Sequence, residues 1–149
     1  MTLSQNLDDP FDLHRFVEAQ TEEYTPALEE IRAGQKQTHW MWFIFPQYAG
    51  LGSSAMARRY AIQSVAEAKA YLRHPVLGPR LVACAEAALA VEGRTAYQIF
   101  GTPDDLKLKS SATLFGAISP PGSVFERLLK KFYRGERDPR TLELIGPVK

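Results

Sequence analysis

Val76-Leu77-Gly78-Pro79-Arg80-Leu81-Val82-Ala83-Cys84-Ala85-Glu86-Ala87-Ala88-Leu89-Ala90-Val91-Glu92 is the stretch that decides the fold. Leu77, Leu81, Ala85, Ala88 and Leu89 recur at spacings of three and four, which lines one side of a helix. Its alanines are strong helix formers and let neighbouring helices approach closely. Gly93 closes it. Upstream, His74-Pro75 ends a preceding helix, because a residue before proline is pushed out of the helical region. That helix starts at Ser64, with Glu67 three residues on as a capping box, and carries Val65, Ala68, Tyr71 and Leu72. Downstream, Thr102-Pro103 reads as a cap followed by a first-turn proline, with Leu108, Ser111, Ala112 and Phe115 sharing a face. After Pro120-Pro121-Gly122, Ser123 starts a helix carrying Val124, Leu128, Leu129 and Phe132 inward. A short last helix follows Asp138-Pro139. Near the start, Leu13, Phe16, Val17 and Gln20 mark a first helix, and Thr25-Pro26 opens a second that Gly34 stops. Only Trp42-Phe43-Ile44-Phe45 is ambiguous between a strand and a buried helical turn. The expectation is an all-α fold, a single compact multi-helix domain over residues 1–149 with about seven or eight helices.

Composition agrees and excludes several functions. The chain has 149 residues, 45% of them hydrophobic and 23% charged, as in an ordinary globular domain. Eighteen Lys and Arg against seventeen Asp and Glu leave a net charge of +1, so no global field draws it to nucleic acid or an anionic membrane. Its one cysteine, Cys84, rules out an intrachain disulfide and a cysteine-cluster metal site. His14, His39 and His74 lack metal-ligand spacing, and no cofactor motif is present. The acidic, polar N-terminus is unlike a secretory signal, and the longest apolar runs fall well short of the roughly 20 residues that span a bilayer. A cytoplasmic protein is expected.

Two segments are candidates for chemistry. The first is Thr38-His39-Trp40-Met41-Trp42-Phe43-Ile44-Phe45-Pro46-Gln47, which holds both tryptophans. It reads either as the centre of the core or as a pocket wall, since ligand sites are also aromatic with few polar groups. On a helix Trp40 and Phe43 share a side, whereas on a strand Trp40 and Trp42 do. The second runs from Gly101 to Phe115. At helical spacing it brings Asp104, Lys107 and Ser111 near one another with Ser110 adjoining, a strip suited to an anionic or sugar-bearing ligand. The bland alternative is a surface Asp-Lys pair beside hydroxyls that bond their own backbone. Arg58-Arg59-Tyr60 offers a phosphate contact or a solvated face. Ser53 or Ser54 reads as a helix cap, and Cys84 as buried and inert.

Several blocks together resemble a known family. They are Arg15-Phe16-Val17-x-Ala19-Gln20, His39 to Gln47, Leu51-Gly52-x-Ser54, Tyr60-Ala61-Ile62, and Tyr71-Leu72-x-His74-Pro75-Val76-Leu77-Gly78-x-Arg80-Leu81. Phe100-Gly101-x-x-Asp104-x-Leu106-Lys107, Ser110-Ser111-x-Thr113-Leu114-Phe115 and Phe125 complete the pattern. The chain resembles a bacterial domain-of-unknown-function family of conserved hypothetical proteins, sometimes labelled calpastatin. The resemblance implies a small, mainly α-helical, cytoplasmic domain and brings no established activity. A looser likeness, in architecture and polar-aromatic composition, is to domains that cleave N-glycosidic bonds of ADP-ribose or riboflavin-pathway intermediates. None of their catalytic residues aligns here.

Two functional readings follow. In the first, the domain holds a nucleotide-like or ADP-ribose/NAD-derived small molecule. Trp40 or Trp42 stacks on a base, while Gln47, Arg59, Tyr60, Lys107, Ser110 and Ser111 bind the remainder. If it is an enzyme it hydrolyses an N-glycosidic bond, with Asp104 and His39 as candidate catalytic groups. In the second, it is a non-catalytic helical interaction or binding domain. Nucleic acid and membrane are not expected partners, and the sequence is silent on oligomeric state.

Overall fold

Three long helices, one of 19 residues and two of 14, organise the molecule around one core. The computed structural model describes residues 8–148, and among these there are nine helices and no sheet. They are α1 (His14–Arg32), α2 (Met41–Ile44), α3 (Ala55–Arg59), α4 (Val65–Arg73), α5 (Leu77–Ala90), α6 (Ala96–Phe100), α7 (Asp104–Ala117), α8 (Val124–Tyr133) and α9 (Pro139–Ile145). The central helix α5 packs on α1 and α8 and turns its start against α4; α7 packs on α8 and carries α6 and α9. A single Tyr48–Ile62 bridge joins the loops around α3. The result is a compact all-α multi-helix domain.

Within 76–92, Leu77–Ala90 form the helix the periodicity predicts, with Leu77, Leu81, Ala85 and Ala88 buried. Gly78 lies so close to α4 that a Cβ there would stand 2.1 Å from the Leu72 carbonyl oxygen. The corner works as expected: His74 is extended (ψ 132°), and its Nδ1 accepts the Val76 and Leu77 N–H groups at 3.1 and 3.2 Å. Ser54, Ser64, Ser123 and Asp138 each accept a backbone N–H as helix caps. Gly34, at φ +77°, ends α1 in a conformation that a side chain would strain.

Four local expectations are corrected. The two helices expected around Thr25-Pro26 are one, with Pro26 inside α1. Phe16, Gln20, Ala27 and Ile31 are buried along one uninterrupted stripe, and burying that stripe outweighs the roughly 3 kcal/mol cost of an interior proline. Thr102 does not cap α7; Pro103 occupies the N-cap position, with no side-chain cap. Glu67 bonds the Gln63 N–H (2.9 Å) rather than the Ser64 N–H, so that capping box is only half made. The helix α6 was not anticipated, although Thr95 and Gln98 form a complete capping box.

The ambiguous stretch is a helical turn, α2, so Trp40 and Phe43 face the same core while Trp42 is only half-buried. Aromatic contacts cross the interior from Phe16 through Tyr71 (5.0 Å) and Phe115 (5.5 Å) to Phe125 (5.7 Å). Gln20 ties α2 to this core. Its amide nitrogen donates to the Phe43 carbonyl (2.7 Å), and its oxygen accepts from Arg80 (3.3 Å). Arg15 joins three segments at once, donating to the carbonyls of Phe11, Asp12, Arg59 and Ala61 and to the carboxylate of Glu67, which is 2% exposed.

Candidate functional site

The loop between α1 and α2 carries the tryptophan block against the start of α7. Glu30, in the last turn of α1, anchors that loop. Its carboxylate accepts the N–H groups of Gln37 (2.7 Å) and Thr38 (3.0 Å), the Thr38 hydroxyl (2.6 Å) and the Trp40 indole N–H (2.9 Å). Burial alone would raise the Glu30 carboxyl. The hydrogen bonds from Thr38, Gln37 and Trp40 outweigh it and hold the group at about 2 instead of 4.5. Trp40 is thereby fixed in the core with no exposed surface, edge-on to Phe100 at 6.4 Å.

Above this floor opens a cleft of about 340 Å³, lined by Lys36, His39, Trp42, Thr102, Pro103 and Asp104. Asp104 is its electrostatic centre. Lys36 Nζ lies 2.9 Å from Asp104 Oδ2 and Lys107 Nζ 3.5 Å from Oδ1. Each lysine also rests on a tryptophan, Lys36 5.0 Å from the Trp40 ring centre and Lys107 5.3 Å from that of Trp42. Such contacts are worth about 0.5–2 kcal/mol and hold the ammonium groups in place. The Lys36 side chain is only 8% exposed, so its charge is a built element of the wall.

Pro103 also borders a second cleft of about 310 Å³, lined by Gln47, Leu51, Gly52, Leu106, Lys107, Ser110 and Asp138. The two clefts share Pro103 as a wall and make a two-part trench at the N-terminal end of α7. Asp138, the cap of α9, accepts the Thr141 N–H (3.0 Å), the Thr141 hydroxyl and the Ser110 hydroxyl (3.3 Å) on Oδ2. Thr113 receives the Asp138 N–H at 2.9 Å while donating to the Lys109 carbonyl. These hydroxyls therefore seat α9 on α7. Ser111 is 1% exposed and its hydroxyl has no partner among the described residues.

The sequence-derived candidates thus divide. His39, Trp42, Gln47, Asp104, Lys107 and Ser110 line the trench, with Trp40 beneath it. Ser111 points into the interior. Arg59 and Tyr60 border neither cleft. Tyr60 is 8% exposed against Phe16 and Phe43, and its hydroxyl meets Arg59 Nε at 3.2 Å. Sequence reasoning misses Lys36 and Glu30, and reads Asp138 only as the start of the last helix. The one signal for Glu30 was an acid in the last turn of a helix, where the macrodipole disfavours it.

A carboxylate already neutralised by two ammonium groups is a weak stabiliser of a developing oxocarbenium charge. His39 lines the cleft with no side-chain partner among the described residues. Cys84 is buried and its thiol is pushed up to about 12, chiefly by burial. Among the described residues no group of His, Cys, Asp and Glu is placed to hold a metal ion, and no helix is long and apolar enough to cross a membrane.

Fold and trench together define an all-α domain with a small polar cleft. The chain belongs to the family described as "Protein of unknown function (DUF1810)", whose model matches residues 10–145. It is similar to the conserved hypothetical protein Rv1873 from Mycobacterium tuberculosis, whose crystal structure has been solved. The two share 53% identity over 94% of this chain and 100% of that one, with a TM-score of 0.91. No curated protein matches the chain.

Proposed function

We propose that this protein is a non-catalytic binding domain whose trench across the start of α7 holds a small polar molecule. The observation that carries this reading is the Lys36–Asp104–Lys107 array, whose charges are fixed against two tryptophans beside open cleft volume. Rigid polar groups beside half-exposed aromatic surface suit ligand recognition. The same array takes up both oxygens of Asp104, the residue that catalysis would have to use. We place the domain in the reducing cytoplasm, a reading supported by its single buried thiol.

A second reading has one observation in its favour. The cleft brings His39, Trp42 and Asp104 together, as N-glycoside hydrolysis of a nucleotide-like or ADP-ribose-derived ligand requires. A thermal-shift screen against NAD, ADP-ribose, nucleotides, flavin precursors and free sugars tests both. A ligand at a hundred times its Kd adds about 2.7 kcal/mol, a rise of about 5–10 °C in Tm. A shift lost in Lys107→Ala and Trp42→Leu supports the binding site; a shift retained in both variants overturns it.

A further inference from the structure

The trench carries two cations, Lys36 and Lys107, and two carboxylates, Asp104 and Asp138. Its charges are therefore balanced, and Asp104 occupies both lysines. An incoming anion meets no spare cation. It must either break an existing ion pair or stand beside Asp104 as an added like charge, both unfavourable in a partly desolvated site.

Uncommitted hydrogen-bonding capacity, by contrast, is gathered in the second cleft. Asp138 Oδ2 is saturated, whereas Oδ1 has no protein partner among the described residues. The Ser110 hydroxyl has one proton, shared between the Leu106 carbonyl (3.2 Å) and Asp138, so its lone pairs remain free to accept. Gln47 gives its backbone carbonyl to the Ile62 N–H (2.9 Å), while its side-chain amide bonds no protein group among the described residues. Beside them Leu106 is 57% exposed and Leu51 is half-buried, giving apolar surface at the edge of a polar cleft. An amide, a hydroxyl and a carboxylate oxygen next to apolar surface match the alternating O–H and C–H faces of a sugar.

Building on the binding-site reading above, we propose that the trench takes an uncharged polyhydroxy compound of monosaccharide size. Its hydroxyls are held by Gln47, Ser110 and Asp138, and its C–H face lies against Leu51 and Leu106. Asp104 rejects the phosphorylated counterpart by keeping both lysines neutralised.

Two-dimensional ¹H–¹⁵N NMR at pH 8, with D-ribose, D-glucose, ribose 5-phosphate and glucose 6-phosphate as probes, tests this. At least one free sugar should move the Gln47 side-chain amide and Leu106 backbone amide signals, with its phosphate ester about tenfold weaker. Gln47→Leu should remove the sugar-induced shifts without lowering Tm. Asp104→Asn, which releases both lysines, should reverse the preference toward the phosphate ester. Tighter binding of the ester by the unaltered protein overturns the proposal, as does failure of both free sugars to move these signals. If a different compound from the thermal-shift panel moves them instead, the binding site stands and only the sugar assignment falls. If nothing moves them, both fall.

Discussion

Replacing Glu30 by glutamine removes the charge that fixes the 36–40 loop, and with it the wall of the cleft. The native carboxylate receives four hydrogen bonds and is held at about 2 instead of 4.5. Converted directly, that difference sets an upper limit of about 3 kcal/mol of native-state stability. The group is only partly buried, so solvent screening reduces the expected contribution to about 1–2 kcal/mol. The sign follows from a carboxyl lowered on folding: the contribution is complete above about 4.5 and is lost as pH falls toward about 2. Urea unfolding of wild type and Glu30→Gln at pH 7, 5, 3.5 and 2.5 isolates it, because every other carboxyl titrates in both proteins. The stability gap should be about 1–2 kcal/mol at pH 7 and should narrow below pH 4.5. A gap that stays constant down to pH 2.5, or no gap at pH 7, refutes the reasoning.

The other predictions concern packing, ion pairing and reactivity. Gly78→Ala places a methyl 2.1 Å from the Leu72 carbonyl oxygen and should cost about 2–4 kcal/mol in urea unfolding. Gly116→Ala, in α7, puts its methyl at an ordinary 3.6 Å from Phe125 and should gain about 0.5–1 kcal/mol from helix propensity. Arg15→Met leaves the buried Glu67 carboxylate without its cation and should cost about 3–5 kcal/mol at pH 7 by chemical denaturation. Cys84, with its thiol at about 12, should not react with a disulfide reagent at pH 8 until the protein unfolds. Rapid labelling of the folded protein would show that α5 opens locally.

The elements legible in the sequence were those whose signal is local and repeated. The Leu77–Ala90 helix carries its apolar period over four turns, and the caps at Ser54, Ser64, Ser123 and Asp138 each place a side-chain oxygen three residues before a free N–H. The break expected at Pro26 was a local inference overruled by a tertiary one: the buried stripe from Phe16 to Ile31 keeps its phase across the proline. The helix α6 spans five residues, too few to show a period. At the site, the Asp104–Lys107 pair was readable from its spacing of three, and it forms at 3.5 Å. Its meeting with the tryptophan block depends on the turn of the chain between α6 and α7, which leaves no periodic trace. Lys36 is an ordinary loop lysine until the fold lays it between Trp40 and Asp104.

The central claim is that the trench binds without converting its ligand, and ligand-observed ¹H NMR measures both in one sample. Any compound that raises Tm should show saturation transfer from the protein, absent with Lys107→Ala, and its own resonances should remain unchanged after overnight incubation at a tenth of an equivalent of protein or more. Appearance of free base and free ribose signals, abolished by Asp104→Asn, would contradict the account and establish the trench as a hydrolytic site.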